Sequence, residues 1–261
     1  MDICFLTKTH LLPNQSFDVS PFITINNPFS SSLKKPRGGV SCLISPVFRQ
    51  YVKSIDKSVD DVIGITLTGD HMIFSTYIPP ADSIYFKSEM FSSVANNFMP
   101  AVISRIVIGG GDLNCRIGNL IKDVRLHSGE YRDNPDSHIN SNGRLLIDIC
   151  NSFRCQPLNN LSYNNKIFDG KFTFYGGNGK SQNDFVLCNS FALDKVDDFI
   201  IHELAFNPSG HFPLVVTCSF PLYEDNIKSK ASTDILTDAA KPSIHNMPKI
   251  ISSKLIGIHI K

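Results

Sequence analysis

A carboxylate and a carboxamide stand two residues apart in the stretch IVIGGGDLNCRIGN, residues 106–119. Its first apolar residues predict a buried strand, and the glycines that follow allow the backbone to turn and a ligand to approach closely. Asp112 and Asn114 occupy alternate positions, so both side chains can face one side. The pair suits phosphate chemistry, since Asp112 can orient or deprotonate a water and Asn114 can donate a hydrogen bond to an oxyanion. The alternative is a turn in which both side chains satisfy backbone N–H groups.

Four further polar residues stand where a predicted strand meets a loop. Tyr77 comes just before a double proline in FSTYIPP, and Lys8 follows the apolar run of MDICFLTKTHLLP. Asp184 opens the apolar strand of QNDFVLC, and His211 precedes the strand of HFPLVV. We predict that the strand ends carrying Tyr77, Asp184 and His211 lie on one rim of a sheet structure. Each of these three also has a simpler interpretation: the ring of the tyrosine packs against its neighbours, the aspartate is solvated, and the histidine is structural.

Short strands dominate the elements that must position these residues. Strands are predicted at 3–6, 39–45, 61–67, 72–77, 106–108, 171–175, 184–188 and 214–220. Helices are predicted at 83–98 and at 142–153, the second with Asn142 as its N-cap. This mixture predicts a sandwich of sheets with helices packed outside. Apolar periodicity fades after about residue 222, so residues 1–222 are predicted to form the domain and 223–261 a linker or disordered tail.

Composition restricts the class of protein. A net charge of +1 gives no basic footprint, so nucleic-acid binding would need a local patch. The seven cysteines include no C-x-x-C pair, which argues against zinc and redox motifs and favours reduced, buried thiols. No signal peptide or membrane-spanning run is evident. We therefore expect an intracellular protein, nuclear or cytoplasmic, with no membrane association and no obligate protein partner.

Seven segments together resemble the endonuclease/exonuclease/phosphatase domain, in the version carried by non-LTR retrotransposons of the LINE type. In chain order they are DICFLTKTHL, GGVSCLIS, STYIPPADSIY, IVIGGGDLNCRIGN, NSNGRLLIDIC, GKFTFYGGNGKSQNDFVLCN and SGHFPLVV. The resemblance implies a four-layered α/β sandwich, like that of DNase I, with two facing mixed sheets. It also implies Mg²⁺-assisted hydrolysis of a phosphodiester, with DNA as the partner that is nicked.

The resemblance assigns roles to five residues. Asp112 matches the aspartate that orients the attacking water, and Asn114 matches its partner. Tyr77 matches the tyrosine that contacts the phosphate. Asp184 matches the aspartate that pairs with the active-site histidine, and His211 matches that histidine. In the family, this aspartate holds the imidazole charged against the phosphate.

The metal side departs from the family pattern. Lys8, in TKTH, replaces the metal-binding glutamate of TETH, and Gly210, in SGH, replaces a carboxylate near the metal. Mg²⁺ requires oxygen ligands, which neither residue supplies. The family's first strand, which ends in an asparagine beside the site, also has no counterpart at the start of this chain. We expect its absence to leave unpaired strand edges and a gap in the core.

These departures leave several functional hypotheses open. The first is a retrotransposon-derived, Mg²⁺-dependent DNA endonuclease whose activity is lost or strongly reduced. The second is a binding module in which Lys8 contacts a phosphate directly, since an ammonium is a compact phosphate partner. The third is a relic without a selected role, and the fourth a phosphatase of the same superfamily. Whether the chain is still an enzyme is not decided by its sequence.

Overall fold

The computed structural model describes residues 1–29, 37–99, 105–124, 129–177, 179–204, 209–222 and 254–260. Its strands are β1 (Ile3–Thr7), β2 (Ile23–Asn27), β3 (Val40–Ile44), β4 (Val52–Asp56), β5 (Val62–Leu67), β6 (Met72–Tyr77), β7 (Val107–Asp112), β8 (Glu130–Tyr131), β9 (Cys155–Pro157), β10 (Leu161–Tyr163), β11 (Lys166–Ile167), β12 (Phe174–Gly176), β13 (Gly179–Ser181), β14 (Asp184–Asn189), β15 (Val196–Ile201), β16 (Leu214–Cys218) and β17 (Lys254–Ile260). Its α-helices are α1 (Met90–Phe98), α2 (Ser141–Phe153) and α3 (Ser190–Leu193).

Two six-stranded sheets make up most of the fold. The first has the strand order β15-β16-β17-β1-β3-β2, and the second has the order β4-β5-β6-β7-β14-β9. Each contains a parallel pair, β16 with β17 and β6 with β7, among antiparallel neighbours. Strands β8, β10 and β11 form a small third sheet, and β12 pairs with β13. The predicted α/β architecture with two mixed sheets is confirmed.

The two large sheets enclose the main apolar core between them. Ile3 and Phe5 of β1 contribute from the first sheet, and Ile63 and Ile108 contribute from the second. The opposite face of the second sheet, which includes Phe74, packs in a second core with residues of α1 and α2. Because this sheet is covered on both faces, its central strands β7 and β14 are buried along their whole length.

Strand β7 continues through its glycines and ends at Asp112, so the prediction that it ends at residue 108 is wrong. The reason is steric. A Cβ atom on Gly110 would lie 1.9 Å from the carbonyl oxygen of Phe185 in β14. A Cβ atom on Gly111 would lie 1.8 Å from the carbonyl oxygen of Thr76 in β6. The glycines therefore allow both neighbouring strands to approach β7 closely, instead of turning the chain.

Both predicted helices begin elsewhere than expected. Helix α1 begins at Met90, because the preceding residues form turns, and Ile84 among them is 88% exposed. Helix α2 begins at Ser141, and its N-cap is Asn140, whose side chain accepts a hydrogen bond from the Gly143 N–H at 2.8 Å. The assignment of Asn142 as N-cap is therefore wrong.

The C-terminal strand β17 lies inside the first sheet, between β1 and β16. It is antiparallel to β1, with Ile258 opposite Ile3, and parallel to β16, with Ile258 opposite Val216. The expected unpaired edge beside β1 is therefore occupied by β17. For residues 254–260 the prediction of a linker or disordered tail is wrong, and residues 223–253 lie outside the described part of the chain. Among the described residues, no helix is long and apolar enough to cross a membrane.

Candidate active site

Three of the predicted site residues form one row across the second sheet. Tyr77, the last residue of β6, stands opposite Asp112, the last residue of the parallel strand β7. Asp184, the first residue of β14, stands opposite Asp112 on its other side. Because neighbouring strands lie about 4.8 Å apart, the three residues stand side by side at one edge of the sheet. The predicted rim therefore forms here.

Lys8 reaches this row from the first sheet. It directly follows β1, and its backbone has a φ of 55°, in the left-handed region that costs an L-residue about 1–2 kcal/mol. Its Nζ lies 3.1 Å from Oδ2 of Asp112 and 5.2 Å from the centroid of the Tyr77 ring. The Lys8 side chain is 23% exposed, whereas that of Asp112 is fully buried. The Lys8 ammonium therefore lies against the buried carboxyl group of Asp112, and the lysine side chain is partly exposed to solvent.

Asn114 is held against Asp112 by a local turn. Its backbone also lies in the left-handed region, with a φ of 47°. Its N–H donates to Oδ1 of Asp112 at 3.3 Å, and its side-chain nitrogen donates to Oδ2 of Asp112 at 3.2 Å and to the Ile78 carbonyl at 2.8 Å. The interpretation as a turn therefore holds for Asp112, whose carboxylate accepts the Asn114 N–H, and the phosphate chemistry of the pair stays a prediction.

His211 pairs with Asp184 as the resemblance implies. Its Nδ1 lies 3.0 Å from Oδ2 of Asp184, and both side chains are almost fully buried. The imidazole packs against Phe174, with ring centroids 4.4 Å apart. Since Asp184 uses Nδ1, the second ring nitrogen, Nε2, is the one that remains for a ligand.

The charges of the site are set by burial and by close ionic neighbours. Burial alone would lower the pKa of Lys8, but the attraction of Asp112 raises it well above its usual value. Lys8 is therefore an ammonium at neutral pH. Burial raises the pKa of Tyr77 to about 12, with Lys8 partly opposing the shift, so its phenol is neutral. A cation, a neutral phenol and two carboxylates thus share this edge of the sheet.

A side chain at position 210 would not fit this backbone. Gly210 has a φ of 72°, and a Cβ atom there would lie 2.6 Å from the carbonyl oxygen of Tyr175 and 2.9 Å from the ring of Phe174. The Gly210 carbonyl also accepts a hydrogen bond from the Tyr175 N–H at 2.7 Å. The segment before His211 is therefore packed in a form that excludes the carboxylate expected from the family.

The residues of this site do not fit Mg²⁺. The ammonium of Lys8 occupies the position beside Asp112, where the resemblance expects a glutamate, and Gly210 offers no ligand. In the part of the chain that the structure describes, no group of three or more His, Cys, Asp or Glu side chains is arranged to hold a metal ion. A hard divalent cation needs several oxygen ligands, and a charged lysine repels it.

Sequence reasoning missed the residues that position Asp184. The Thr173 hydroxyl accepts hydrogen bonds from the Asn183 N–H at 3.0 Å and the Asp184 N–H at 3.1 Å. Thr173 is fully buried, which is unusual for a hydroxyl unless it has hydrogen-bond partners. The only signal in the sequence is a threonine among aromatic residues in KFTFYG, which is equally typical of an ordinary strand.

A second positioning residue, Asp136, joins the two segments that carry the site. It accepts two hydrogen bonds from Arg116, at 2.6 and 2.8 Å, and one from the Gln182 N–H at 3.0 Å. Arg116 belongs to the loop after β7 and Gln182 to the segment before β14. Asp136 therefore fixes Asn114 and Asp184 relative to each other, although no sequence spacing reveals the contact.

Comparison with known proteins supports the fold. No protein-family model and no curated protein matches the sequence. Among solved structures, the AP endonuclease LMAP from Leishmania major matches with a TM-score of 0.59 and 12% identity, covering 81% of this chain and 76% of that one. The 3'-5' exonuclease NExo from Neisseria meningitidis matches with a TM-score of 0.56 and 13% identity, covering 81% and 86%. A Neisseria structure described as the 3' phosphatase NExo bound to a product DNA hairpin matches with a TM-score of 0.57 and 14% identity, covering 81% and 86%. Identities this low establish the fold alone, and the chain has the endonuclease/exonuclease/phosphatase fold that its sequence predicts.

Proposed function

We propose that this chain is a DNA-binding domain of retrotransposon endonuclease descent, in which Mg²⁺-dependent nicking is lost or strongly reduced. The observation that carries the proposal is the 3.1 Å ion pair between Lys8 and Asp112. It places a fixed positive charge where a nuclease of this fold would need a metal ligand. The retrotransposon descent rests on the order and content of the seven sequence segments.

The ion pair opposes metal binding in two ways. Two unit charges 3.1 Å apart attract by about 5 kcal/mol at an effective dielectric constant near 20, before desolvation is counted. A cation entering beside Asp112 would have to displace the ammonium. If the ammonium stayed about 4 Å away, it would repel each unit of the incoming charge by about 4 kcal/mol, which weakens binding about a thousandfold for each unit of charge.

The other half of the site remains suited to a phosphodiester. Asp184 orients the imidazole of His211, and the phenol of Tyr77 is neutral and can donate a hydrogen bond to a phosphate oxygen. The partly exposed ammonium of Lys8 supplies the positive charge. A compact ammonium is an effective phosphate partner without a metal ion. These groups support phosphate binding, and none of them requires a metal to do so.

Nicking of supercoiled plasmid in the presence of Mg²⁺ tests the loss of activity. We expect the wild-type chain to nick no faster than Asp112→Ala. Lys8→Glu should raise the rate and should also make the melting temperature increase on addition of Mg²⁺, which the wild type should not show. Efficient nicking by the wild type that Asp112→Ala abolishes would overturn the proposal.

The choice of variant follows from the geometry of the site. Lys8→Glu changes the charge beside Asp112 with an unbranched side chain that tolerates the same backbone. Gly210→Asp, which would complete the family pattern, forces a Cβ atom against Tyr175 and requires a positive φ. We therefore expect the double variant to be less stable than Lys8→Glu alone and no better as a nuclease.

Fluorescence anisotropy with a labelled oligonucleotide in EDTA tests the binding function. Lys8→Ala should weaken binding about tenfold and should reduce the slope of log affinity against log salt by about one, as expected for one lost phosphate contact. Lys122→Ala is a matched control, because Lys122 is also paired with an aspartate, Asp133 at 2.6 Å, but lies outside the site. Equal affinity and salt slope for wild type and Lys8→Ala would contradict the proposal.

A further inference from the structure

A cavity of about 220 Å³ opens beside Lys8 and Tyr77. Asp184 and His211 do not line it, so it extends from the candidate site in a different direction. Its walls include Phe29, Arg37 and Tyr85. No function derived above uses this space.

The cavity is lined by rings and cations in contact with each other. The guanidinium carbon of Arg37 lies 4.5 Å from the centroid of the Tyr85 ring, and Nζ of Lys8 lies 5.2 Å from the centroid of the Tyr77 ring. Aromatic faces and guanidinium planes are the surfaces on which proteins stack unpaired nucleobases. Two positive charges beside such faces favour a ligand that is both flat and anionic.

The same rings also line a second cavity, of about 800 Å³. Phe29, Tyr77 and Tyr85 are common to both cavities. A chain of several flat groups can therefore follow this aromatic wall, beginning at Lys8. A single small anion such as free phosphate would leave most of this surface uncovered, whereas a nucleic-acid strand would cover it.

A buried carboxyl group supplies the polar contact within the smaller cavity. Asp61 is 3% exposed, and its Oδ1 accepts a hydrogen bond from the Gly39 N–H at 2.5 Å. The backbone of Asp61 has a φ of 60°, in the left-handed region that is uncommon for residues other than glycine. Nucleobase edges carry both N–H donors and lone-pair acceptors, so a carboxyl group can accept a hydrogen bond from an edge when ionised or donate one when protonated.

We propose that the smaller cavity is a nucleobase subsite that binds the unpaired base next to a phosphate held by Lys8. The inference rests on the proposed phosphate binding at Lys8 and adds to it that the ligand is single-stranded. Tyr85 and Phe29 provide the stacking faces, Asp61 contacts the base edge, and Lys8 contacts the phosphate. A duplex without an unpaired base can make only the phosphate contact with Lys8.

Anisotropy measurements in EDTA with two single-stranded oligonucleotides test this proposal. One, the based strand, carries a base on every nucleotide. The other, the abasic strand, carries only abasic sugars over the segment that contacts the protein. Tyr85→Ala should weaken binding of the based strand about tenfold, the effect of losing one stacked base, and should leave the abasic strand unchanged. Lys8→Ala should weaken binding of both strands, since both carry phosphates.

Two control variants separate stacking from folding. Tyr85→Phe keeps the ring and should bind the based strand like the wild type. Phe191→Ala removes an aromatic side chain that is 44% exposed and lines neither cavity, and it should bind both strands normally. Thermal melting confirms that each variant is folded.

The outcomes distinguish the subsite from the phosphate site. If Lys8→Ala weakens binding but Tyr85→Ala affects both strands equally or neither, the subsite is refuted and the phosphate site stands. If Lys8→Ala has no effect on either strand, the proposed function itself fails. Equal affinity of the wild type for the based and abasic strands would also refute a base contact.

Discussion

The position of β17 inside the first sheet predicts that the C-terminal residues hold the domain together. The perturbation is deletion of residues 254–261. The side chains of Ile256, Ile258 and Ile260 are only 5%, 1% and 9% exposed and belong to the main core. Burial of one such side chain contributes about 1.5–3 kcal/mol, so the three together contribute about 5–9 kcal/mol.

This magnitude is comparable with the whole stability of a domain, which is about 5–15 kcal/mol. The deletion would also leave β1 and β16 without a hydrogen-bonding partner on one side each. We therefore expect the shortened chain to be unfolded or to lose most of its cooperative transition. Urea denaturation followed by circular dichroism measures the effect, with the full chain as reference.

Point variants on the two faces of β17 provide the matched comparison. Ile258→Ala should cost about 2–5 kcal/mol, since Ile258 is buried in the core. His259→Ala should cost less than about 1 kcal/mol, because the His259 side chain is 46% exposed and its pairing with Asp2 is a surface interaction. The alternation predicts this difference, since neighbouring residues of a strand face opposite sides.

Addition in trans gives an independent readout. A synthetic peptide of residues 252–261 should restore the transition of the shortened chain, and the same peptide with Ile258→Ala should do so less well. An unfolding midpoint of the shortened chain equal to that of the full chain would refute the reasoning. So would equal costs for Ile258→Ala and His259→Ala.

Three further predictions concern other parts of the fold. Burial raises the pKa of Asp61 to about 7, which the Gly39 N–H only partly offsets. Folding therefore favours the protonated form of Asp61. The stability that this form contributes is fully present below about pH 4 and is lost as the pH rises to about 7. Relative to Asp61→Asn, the wild-type free energy of unfolding should fall over this window by up to about 4 kcal/mol, measured by urea denaturation at several pH values. Gly110→Ala should destabilise the fold by about 3 kcal/mol or more in the same assay, because its Cβ atom meets backbone, whereas Gly177→Ala, with no atom within 4 Å of its Cβ, should have little effect. Asn140→Ala should cost about 1–2 kcal/mol because it removes the N-cap of α2, and a loss under 0.5 kcal/mol would contradict that role.

Local sequence patterns predicted the elements whose burial follows a simple period. Helix α2 was predicted from its apolar spacing, and β6 was predicted with its observed bounds. Strand β17 was missed although its sequence, LIGIHI, alternates isoleucines with other residues. Its position after a long polar stretch outweighed the alternation, since an isolated short strand has no stability without neighbours.

The candidate site was predictable as a set of residues and not as an arrangement. Strand ends and ordered motifs singled out Asp112, Asn114, Tyr77, Asp184 and His211, and the structure brings them to one edge. Their catalytic roles stay predictions. The contacts of Thr173 and Asp136 depend on chain segments that are distant in the sequence, so no local pattern reveals them.

The sequence by itself determined which side chains are available and which are not: an ammonium at position 8 and no side chain at position 210. Those identities already exclude, at both positions, the carboxylates that the sequence resemblance implies. Only the tertiary structure decided that Lys8 pairs with Asp112, because the two residues belong to different sheets that meet only when the core is packed. Only the tertiary structure, likewise, placed β17 beside β1. Partners in a sheet are selected by packing and hydrogen bonding across the whole fold, and a chain end about 250 residues away can meet those requirements as well as a neighbouring segment.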